Sequence, residues 1–506
     1  MWQRRPWAPA GESRGWPDLP LSLLPVLALA ALQRSAPLVW GERPTGTDLG
    51  LFVRYAEQYL EQGRVPVEFP LYQLGTTTWE YFPGGPLFFA WLAAFAGGAP
   101  VDAVAWIALT GPIEAAGVYV LAWQLYGRRD AALLAATAAA LMPSAVEMAG
   151  WGGYGNLLGL ALMPAAYASW LALLATPGPR AAALTVLCTG AVGASHHLSG
   201  TWLLVTLAIS AAVAFVAGQR GAPRAVLWAS VGTLAWLPFV GRALSIGSVM
   251  GGASFFESAE RFAPTREAAL VTLGTPDATL LAAVLVPGLA ALTFLAAVPF
   301  AGRVLVLSHV GLATVLSFGW VVGLHFHHWR ALFFFGLPAA LAAGGLLHVW
   351  PAPWRRLVAG SVVAAFAIAS LQGAARVERD YRVLSPALED AARWLSARSA
   401  PDDVVLTSNR LGFQLVRLLR RPLLVAVPSH DFFSASPQAV ALARDAVAIL
   451  DSGDAVALAR RDVRFVVVRR VGEDAPSPAR SRAALAAFPG RVVYQNAEVV
   501  VFEVAR

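Results

Sequence analysis

The stretch YGRRDAALLAATAAALMPSAVEMAGWGGYGNLLGLAL (Tyr126–Leu162) decides the fold. Arg128 and Arg129 open it, and from Ala131 to Ala149 the only charged residue is Glu147. A helix over that run would be about 28 Å long at ~1.5 Å per residue, enough to cross a ~30 Å hydrocarbon core. The glycine-rich WGGYGN then turns the chain, and a second apolar run follows over 155–175. Two such runs, with paired arginines at the open end, read as a membrane hairpin whose arginine end faces the cytoplasm.

Working outward, the same pattern recurs along the first 373 of 506 residues. Spans are expected at roughly 19–38, 102–125, 131–149, 155–175, 180–195, 198–217, 225–246, 279–301, 303–323, 331–350 and 357–373, about eleven in all. The composition agrees: 57% of residues are hydrophobic, 14% are charged and the mean hydropathy is +0.58. A soluble chain carries about 25% charged residues. Arg34 would occupy the −3 position for cleavage after Ala36, where a small residue is needed, so the first span is expected to be retained with a cytoplasmic N-terminus.

The net charge of +7 does not indicate a nucleic-acid partner. All basic residues are Arg, many fall in the short breaks between apolar runs, and no basic cluster is interleaved with aromatics. The single cysteine, Cys188, lies in an apolar run, which argues against disulfide or thiolate chemistry.

Residues 1–375 are expected to form the membrane domain, with a first outer loop at 41–100. In that loop DLGLFVRYAEQYLEQG (Asp48–Gly63) places Phe52, Tyr55, Ala56, Tyr59 and Leu60 on one helical face. This predicts an amphipathic helix lying along the outer membrane surface. The next block, FPGGPLFFAWLAAFAGG (Phe82–Gly98), has only about twelve uninterrupted residues after Pro86, about 18 Å. It is expected to be re-entrant or interfacial. With that choice Arg128–Arg129, Arg180, Arg220–Arg224, Arg303 and Arg355–Arg356 all become cytoplasmic. Residues 376–506 change texture: β-branched runs DVVLTS (Asp403–Ser408), PLLVAV (Pro422–Val427) and RFVVVRR (Arg464–Arg470) alternate with helical stretches. A closing hairpin turns at Asn496. A small extracytoplasmic α/β domain is expected there.

Chemically capable residues then gather on the outer side: Asp48, Glu80, Glu147, His196, His197, His325, His327, His328 and Arg330. Five of the eight histidines fall at two junctions, ASHHLSG and HFHHWR. Each residue also has a plain reading. Asp48 can serve as a helix N-cap, Glu147 can be solvated near a span end, and His196–His197 can cap a helix start. Arg330 can snorkel to lipid phosphate, and adjacent His327 and His328 diverge on a helix, which disfavours a metal site from that run alone. Glu114 stands apart because it sits mid-span, where an ionisable group is expensive and functional by default.

These elements together resemble the C-type-fold (GT-C) membrane glycosyltransferases. The resemblance is carried by GTDLGLFVRYAEQYLEQGRVP (Gly46–Pro66), WEYFPGGPLFFAWL (Trp79–Leu92), the Tyr126–Leu162 stretch, ASHHLSG and the α/β tail. The nearest look is to a bacterial membrane group labelled 6-pyruvoyl-tetrahydropterin synthase-related. The resemblance implies a helical polytopic fold that transfers a sugar from a polyprenyl-phosphate donor to a lipid, glycan or protein acceptor on the outer face of the cell membrane. It implies Asp48 as the catalytic carboxylate and Glu147 as the second acidic position, with a divalent metal (Mg or Mn) shared by the two as an option. Glu80, His196, His197, His327, His328 and Arg330 are candidate substrate-binding residues. The chain departs from the pattern at two places: Asp48 lacks a second acidic residue or His directly after it, and no Lys exists to hold the lipid phosphate.

The chemistry stands without the family. Sugar transfer from a phospholipid carrier needs a carboxylate to deprotonate the acceptor hydroxyl or hold a metal, and cationic donors for the departing phosphate. With no Lys in the chain, an arginine must serve. A lipid or polysaccharide transporter, and an outer-face polymerase or ligase using a diphosphate donor, are the competing readings.

Overall fold

A computed structural model describes residues 19–39, 45–46, 48–64, 84–98, 104–234, 289–293, 298–319, 331–380, 384–426, 437–470 and 489–505. The described helices are α1 (Leu24–Val39), α2 (Leu49–Gln62), α3 (Gly84–Ala96), α4 (Thr110–Tyr126), α5 (Arg129–Ala140), α6 (Pro143–Trp151), α7 (Tyr154–Ala175), α8 (Pro179–Ser195), α9 (His197–Val216), α10 (Ala222–Thr233), α11 (Phe300–Phe318), α12 (Gly336–Val349), α13 (Arg355–Asp380), α14 (Pro386–Arg398), α15 (Asn409–Leu418), α16 (Pro437–Ser452) and α17 (Ala455–Arg460). The strands are β1 (Val404–Ser408), β2 (Leu423–Ala426), β3 (Val463–Arg469), β4 (Arg491–Gln495) and β5 (Val499–Glu503).

Two compact units form. One comprises Met1–Pro37, Ala105–Leu237 and Ala259–Val377, the other Leu38–Val104, Pro238–Ser258 and Glu378–Arg506. The first is a helix bundle. Among the described residues, Arg129–Gly150, Tyr154–Ala175, His197–Val216, Phe300–Phe318 and Ala352–Glu378 are long and apolar enough to cross a membrane, and Leu21–Ala36 and Phe333–Val349 are shorter apolar helices. The expected spans at 225–246 and 279–301 lie partly outside the described residues. In the bundle α7 packs on α8, α4 on α5 and α7, and α12 on α5.

The run read as one span over 131–149 is long and apolar enough to cross a membrane as Arg129–Gly150, but its helix is broken within the span. α5 ends at Ala140, and Pro143 starts α6 at a position where its missing N–H costs nothing. The break exposes the Met142 carbonyl, and Gln33 Nε2 donates to it at 2.9 Å and to Ser370 Oγ at 3.0 Å. Gln33 Oε1 accepts from the Arg34 guanidinium, which is fully buried and ion-paired with Glu114. Gly111 makes room for this: a Cβ there would overlap the Ala30 carbonyl oxygen and stand 2.8 Å from Arg34 Cγ. Thus the mid-span carboxylate has a counter-ion on the first helix, and irregular backbone within the bundle is satisfied by protein.

His309 on α11 is also accounted for. The Phe334 carbonyl can only accept, so Nε2 carries the proton and donates to it at 2.8 Å. Nδ1 then accepts from the Tyr167 hydroxyl at 2.7 Å. Trp202 stacks on Phe334 with centroids 3.7 Å apart, closing an aromatic core around the imidazole.

The second unit is built on a five-stranded sheet of order β2-β1-β3-β5-β4. β1 runs parallel to β2 and β3, while β3–β5 and β4–β5 are antiparallel. Alternating side chains divide between two cores. Val405, Phe465, Val467, Val499 and Val501 meet α14 and α15 residues such as Leu388, Leu395, Leu411 and Leu415. Leu406, Val466, Val468, Val500 and Phe502 meet Leu442, Ala446, Ile449 and Leu458 from α16 and α17. The hairpin turns at Asn496, whose Oδ1 accepts from the N–H groups of Glu498 and Val499 at 3.0 and 2.9 Å.

The amphipathic reading of α2 needs correction. Leu51 and Tyr55 belong to the first of these cores, and every residue from Leu49 to Tyr55 is buried. α2 packs on α15 and on α3. Its apolar face is therefore covered by protein over the first two turns, while Leu60 near its end stays exposed; periodicity identifies an apolar face but not what covers it.

Candidate functional site

Asp48 belongs to the second unit and Glu147 to the first. Asp48 holds the N-cap position of α2, and its carbonyl accepts from Phe52 N at 3.1 Å, but its side chain makes no capping hydrogen bond. The carboxylate is thus not committed to starting the helix. The preceding turn is closed by Leu49 N–H to the Gly46 carbonyl at 3.4 Å, and Gln414 Nε2 from α15 donates to the same oxygen at 2.7 Å.

Farther along α2, Arg54 bonds Glu61 through both guanidinium nitrogens at 3.0 and 3.2 Å, and Glu57 at 3.3 Å. Arg417 and Arg420 complete the cluster from the α15 side, at 3.3 and 3.4 Å from Glu57. The Arg54 guanidinium holds the Glu61 carboxyl below the usual carboxylate range, against a smaller opposing effect of burial.

In the first unit Glu147 lies near the end of α6, buried, with Arg376 of α13 at 3.4 Å. This pairs a carboxylate with a half-exposed guanidinium. The two turn motifs singled out in the sequence also meet: Ser199 Oγ of the ASHHLSG turn donates to Asn156 Oδ1 of the WGGYGNLLG turn, both buried. His196 caps α9, its Nδ1 accepting from Leu198 N at 3.3 Å, which places the neutral ring's proton on Nε2. The His197 ring stacks on it with centroids 4.3 Å apart. Capping, one of the two readings for this pair, is therefore what His196 Nδ1 does.

Glu80, His325, His327, His328 and Arg330 lie outside the described residues. Sequence reasoning missed Arg376, Asn156 and Ser199 as individuals. The two polar residues fall within motifs already flagged, whereas Arg376 carried no signal beyond the change in texture at that point.

For a divalent metal, the described residues gather no set of three His, Cys, Asp or Glu side chains. Glu147 faces a guanidinium, which competes with a cation for its oxygens. The described residues do not assemble a metal site.

No protein-family model matches the chain, and no curated protein sequence matches it. Solved structures do. The Archaeoglobus fulgidus oligosaccharyltransferase in complex with Zn and sulfate superposes with a TM-score of 0.64 at 15% identity, over 87% of this chain and 67% of that one. The archaeal oligosaccharyltransferase AglB from the same organism, bound to an inhibitory peptide and a dolichol-phosphate, gives 0.61 at 14% identity, over 88% and 69%. ArnT from Cupriavidus metallidurans in the apo state gives 0.53 at 13% identity, over 95% and 96%. At these identities the likeness establishes architecture, and this membrane chain has the GT-C fold.

Proposed function

We propose that this protein is an integral membrane glycosyltransferase that moves a sugar from a polyprenyl-phosphate carrier to an acceptor hydroxyl on the outer face of the membrane. The observation that carries the reading is the fold likeness, which extends over nearly the full length of both chains for ArnT. The dolichol-phosphate bound in one archaeal neighbour supports the carrier class.

The roles follow from charge. Asp48 accepts the proton of the acceptor hydroxyl as its oxygen bonds to the anomeric carbon. The bond from that carbon to the phosphate oxygen breaks, and the carrier leaves as polyprenyl phosphate. Arg330 neutralises the charge left on the phosphate, a task suited to a guanidinium fork. Glu147 is the second acidic position, paired with Arg376 at 3.4 Å. Glu80, His196, His197, His327 and His328 are assigned to substrate binding, His196 through Nε2–H. In the topology that accompanies this reading the N-terminus is cytoplasmic and residues 376–506 are extracytoplasmic.

Membranes carrying the protein should release sugar from one of a panel of polyprenyl-phosphate sugars onto an acceptor, with one carrier phosphate freed per sugar moved. Asp48→Asn should lower that rate by about 10²–10⁴-fold while leaving expression and melting unchanged, because Asn keeps the side-chain size and the side chain makes no capping hydrogen bond to lose. A parental rate in Asp48→Asn overturns the assignment. Movement of intact lipid-linked sugar without release would make the protein a transporter, and activity only with diphosphate carriers would make it a polymerase or ligase.

A further inference from the structure

We infer that the α/β unit sets the position of the Asp48 carboxylate through Gln414, which acts as a positioning residue for the transfer step. The inference rests on the assignment of Asp48 above and gives the C-terminal unit a role in the reaction.

The turn that presents Asp48 is held by the α/β unit. Gly46 adopts φ +130°, a conformation open to glycine and strained for other residues. Its carbonyl oxygen receives Leu49 N–H from within the turn and Gln414 Nε2 from α15. Gln414 is 1% exposed, so this hydrogen bond has no competition from bulk water. Two residues past Asp48, Gly50 meets the same place on α15. A Cβ there would overlap the Phe413 carbonyl oxygen and lie 2.7 Å from Gln414 Cα. Asp48 thus sits between two contacts with consecutive residues of α15, the Gln414 side-chain hydrogen bond to Gly46 and the close approach of Gly50 to the Phe413 carbonyl. Leu51 and Tyr55 then anchor the start of α2 in the sheet core.

α15 is in turn fixed by the sheet. It connects the parallel neighbours β1 and β2, and Leu411, Leu415 and Val416 are buried in the same core. A displacement of α15 is therefore passed to Gly46 and Gly50 together, and the carboxylate between them moves. Misplacement of a reacting group by about 1 Å can cost 10²-fold in rate, whereas α2 retains its apolar anchors and the unit its sheet. The expected signature is a defect in kcat without one in donor binding.

The test uses the full-length protein in membranes or detergent. Gln414→Leu keeps the side-chain volume and removes the donor; Gln414→Glu keeps the volume and turns an acceptor toward the Gly46 carbonyl. Both should lower kcat by about 10–100-fold with KM for the polyprenyl-phosphate sugar within about twofold. Asp48→Asn/Gln414→Leu should be no slower than Asp48→Asn alone, since residues acting as one unit are non-additive. Amide exchange over 46–52 should rise in both Gln414 variants, a readout that needs no donor. Arg461→Ala breaks the Arg461–Asp445 pair on the α16 side of the sheet and should leave rate and exchange at parental values.

A parental kcat or unchanged exchange in Gln414→Leu overturns the inference, as does an equal loss in Arg461→Ala, which would mean general weakening of the unit. A parental rate in Asp48→Asn overturns the catalytic assignment and with it this inference. A parental rate in Gln414→Leu beside an inactive Asp48→Asn overturns the positioning role alone.

Discussion

Two clusters of ion pairs, one in each unit, illustrate opposite ways to keep charge inside this protein. In the helix bundle Arg34 pairs, among the described residues, with the single carboxylate of Glu114, and the pair is shut away from solvent. In the α/β unit Glu57 is shared by Arg54, Arg417 and Arg420, and Glu61 by Arg54 and Arg420, with Arg420 more than half exposed. Loss of one partner in the bundle strands an ion in a medium that cannot solvate it. Loss of one partner in the α/β cluster leaves the others to rearrange, with water nearby. The same residue types therefore have different consequences, decided by how many partners and how much solvent each charge retains.

The largest effect that sharpens this contrast is Glu114→Gln. It leaves Arg34 buried without a counter-charge, and should destabilise the protein by about 3–5 kcal/mol, read as loss of folded yield and a lower melting temperature in detergent. Arg34→Leu/Glu114→Leu, which removes both charges, should recover most of that loss. A single variant that melts like the parent would mean the pair is solvated, and the comparison would collapse.

Gln33→Leu should come next. The Met142 carbonyl at the α5–α6 break keeps Ala145 N–H at 3.2 Å but loses its side-chain donor, and one such hydrogen bond is worth about 0.5–1.5 kcal/mol. Thermal melts of the purified protein measure it, and a neutral result would show that Gln33 does not serve the break.

The smallest effects belong to the exposed cluster. Arg420→Ala should cost at most about 1 kcal/mol, shrinking as salt is raised from low to physiological. Its pH dependence has a definite sign. Arg54 lowers the Glu61 pKa from its ordinary 4.5, so the contribution of Glu61 is complete above the unfolded value and fades as pH falls through 4.5 and below. Glu61→Gln should flatten the acid side of a melting-temperature profile taken between about pH 3 and 6, while Glu114→Gln should lower the whole curve.

Much of the fold was legible because it is written in local patterns. The apolar runs around 155–175 and 198–217 became helices Tyr154–Ala175 and His197–Val216, and the β-branched runs at 403–408, 422–427 and 464–470 became β1, β2 and β3. What escaped the sequence depends on distant partners. Arg34 read only as an obstacle to signal cleavage and Glu114 as a solitary mid-span carboxylate, because their partnership spans 80 residues. The packing of α2 on α15 joins segments 368 residues apart at the Gly46–Gln414 bond. Asp48 and Glu147 were named as candidates from residue type, position and the family resemblance, whereas Arg376, the ion-pair partner of Glu147, was not, since an arginine near a span end looks like any other until its carboxylate is seen. The break at Leu141–Met142 had a visible signal in Pro143, which proline chemistry alone could have flagged.

That break has a consequence in time. α6, at nine residues, is about 13 Å long and cannot cross a bilayer on its own, and the side chain that serves its upstream carbonyl emerges from the ribosome far earlier. At about 5–20 residues per second, Glu114 follows Arg34 by roughly 4–16 s of synthesis, given a separation of 80 residues. Ser370 follows Gln33 by about 17–67 s at the same rates, given a separation of 337. The first helix thus enters the membrane with a bare guanidinium and an unsatisfied amide, and waits for nearly the whole bundle before its hydrogen bonds close. Through that interval it depends on the insertion machinery, on headgroups reached by snorkelling, or on water drawn into the bilayer. Premature chain termination anywhere before Ser370 would leave Gln33 without one of its partners.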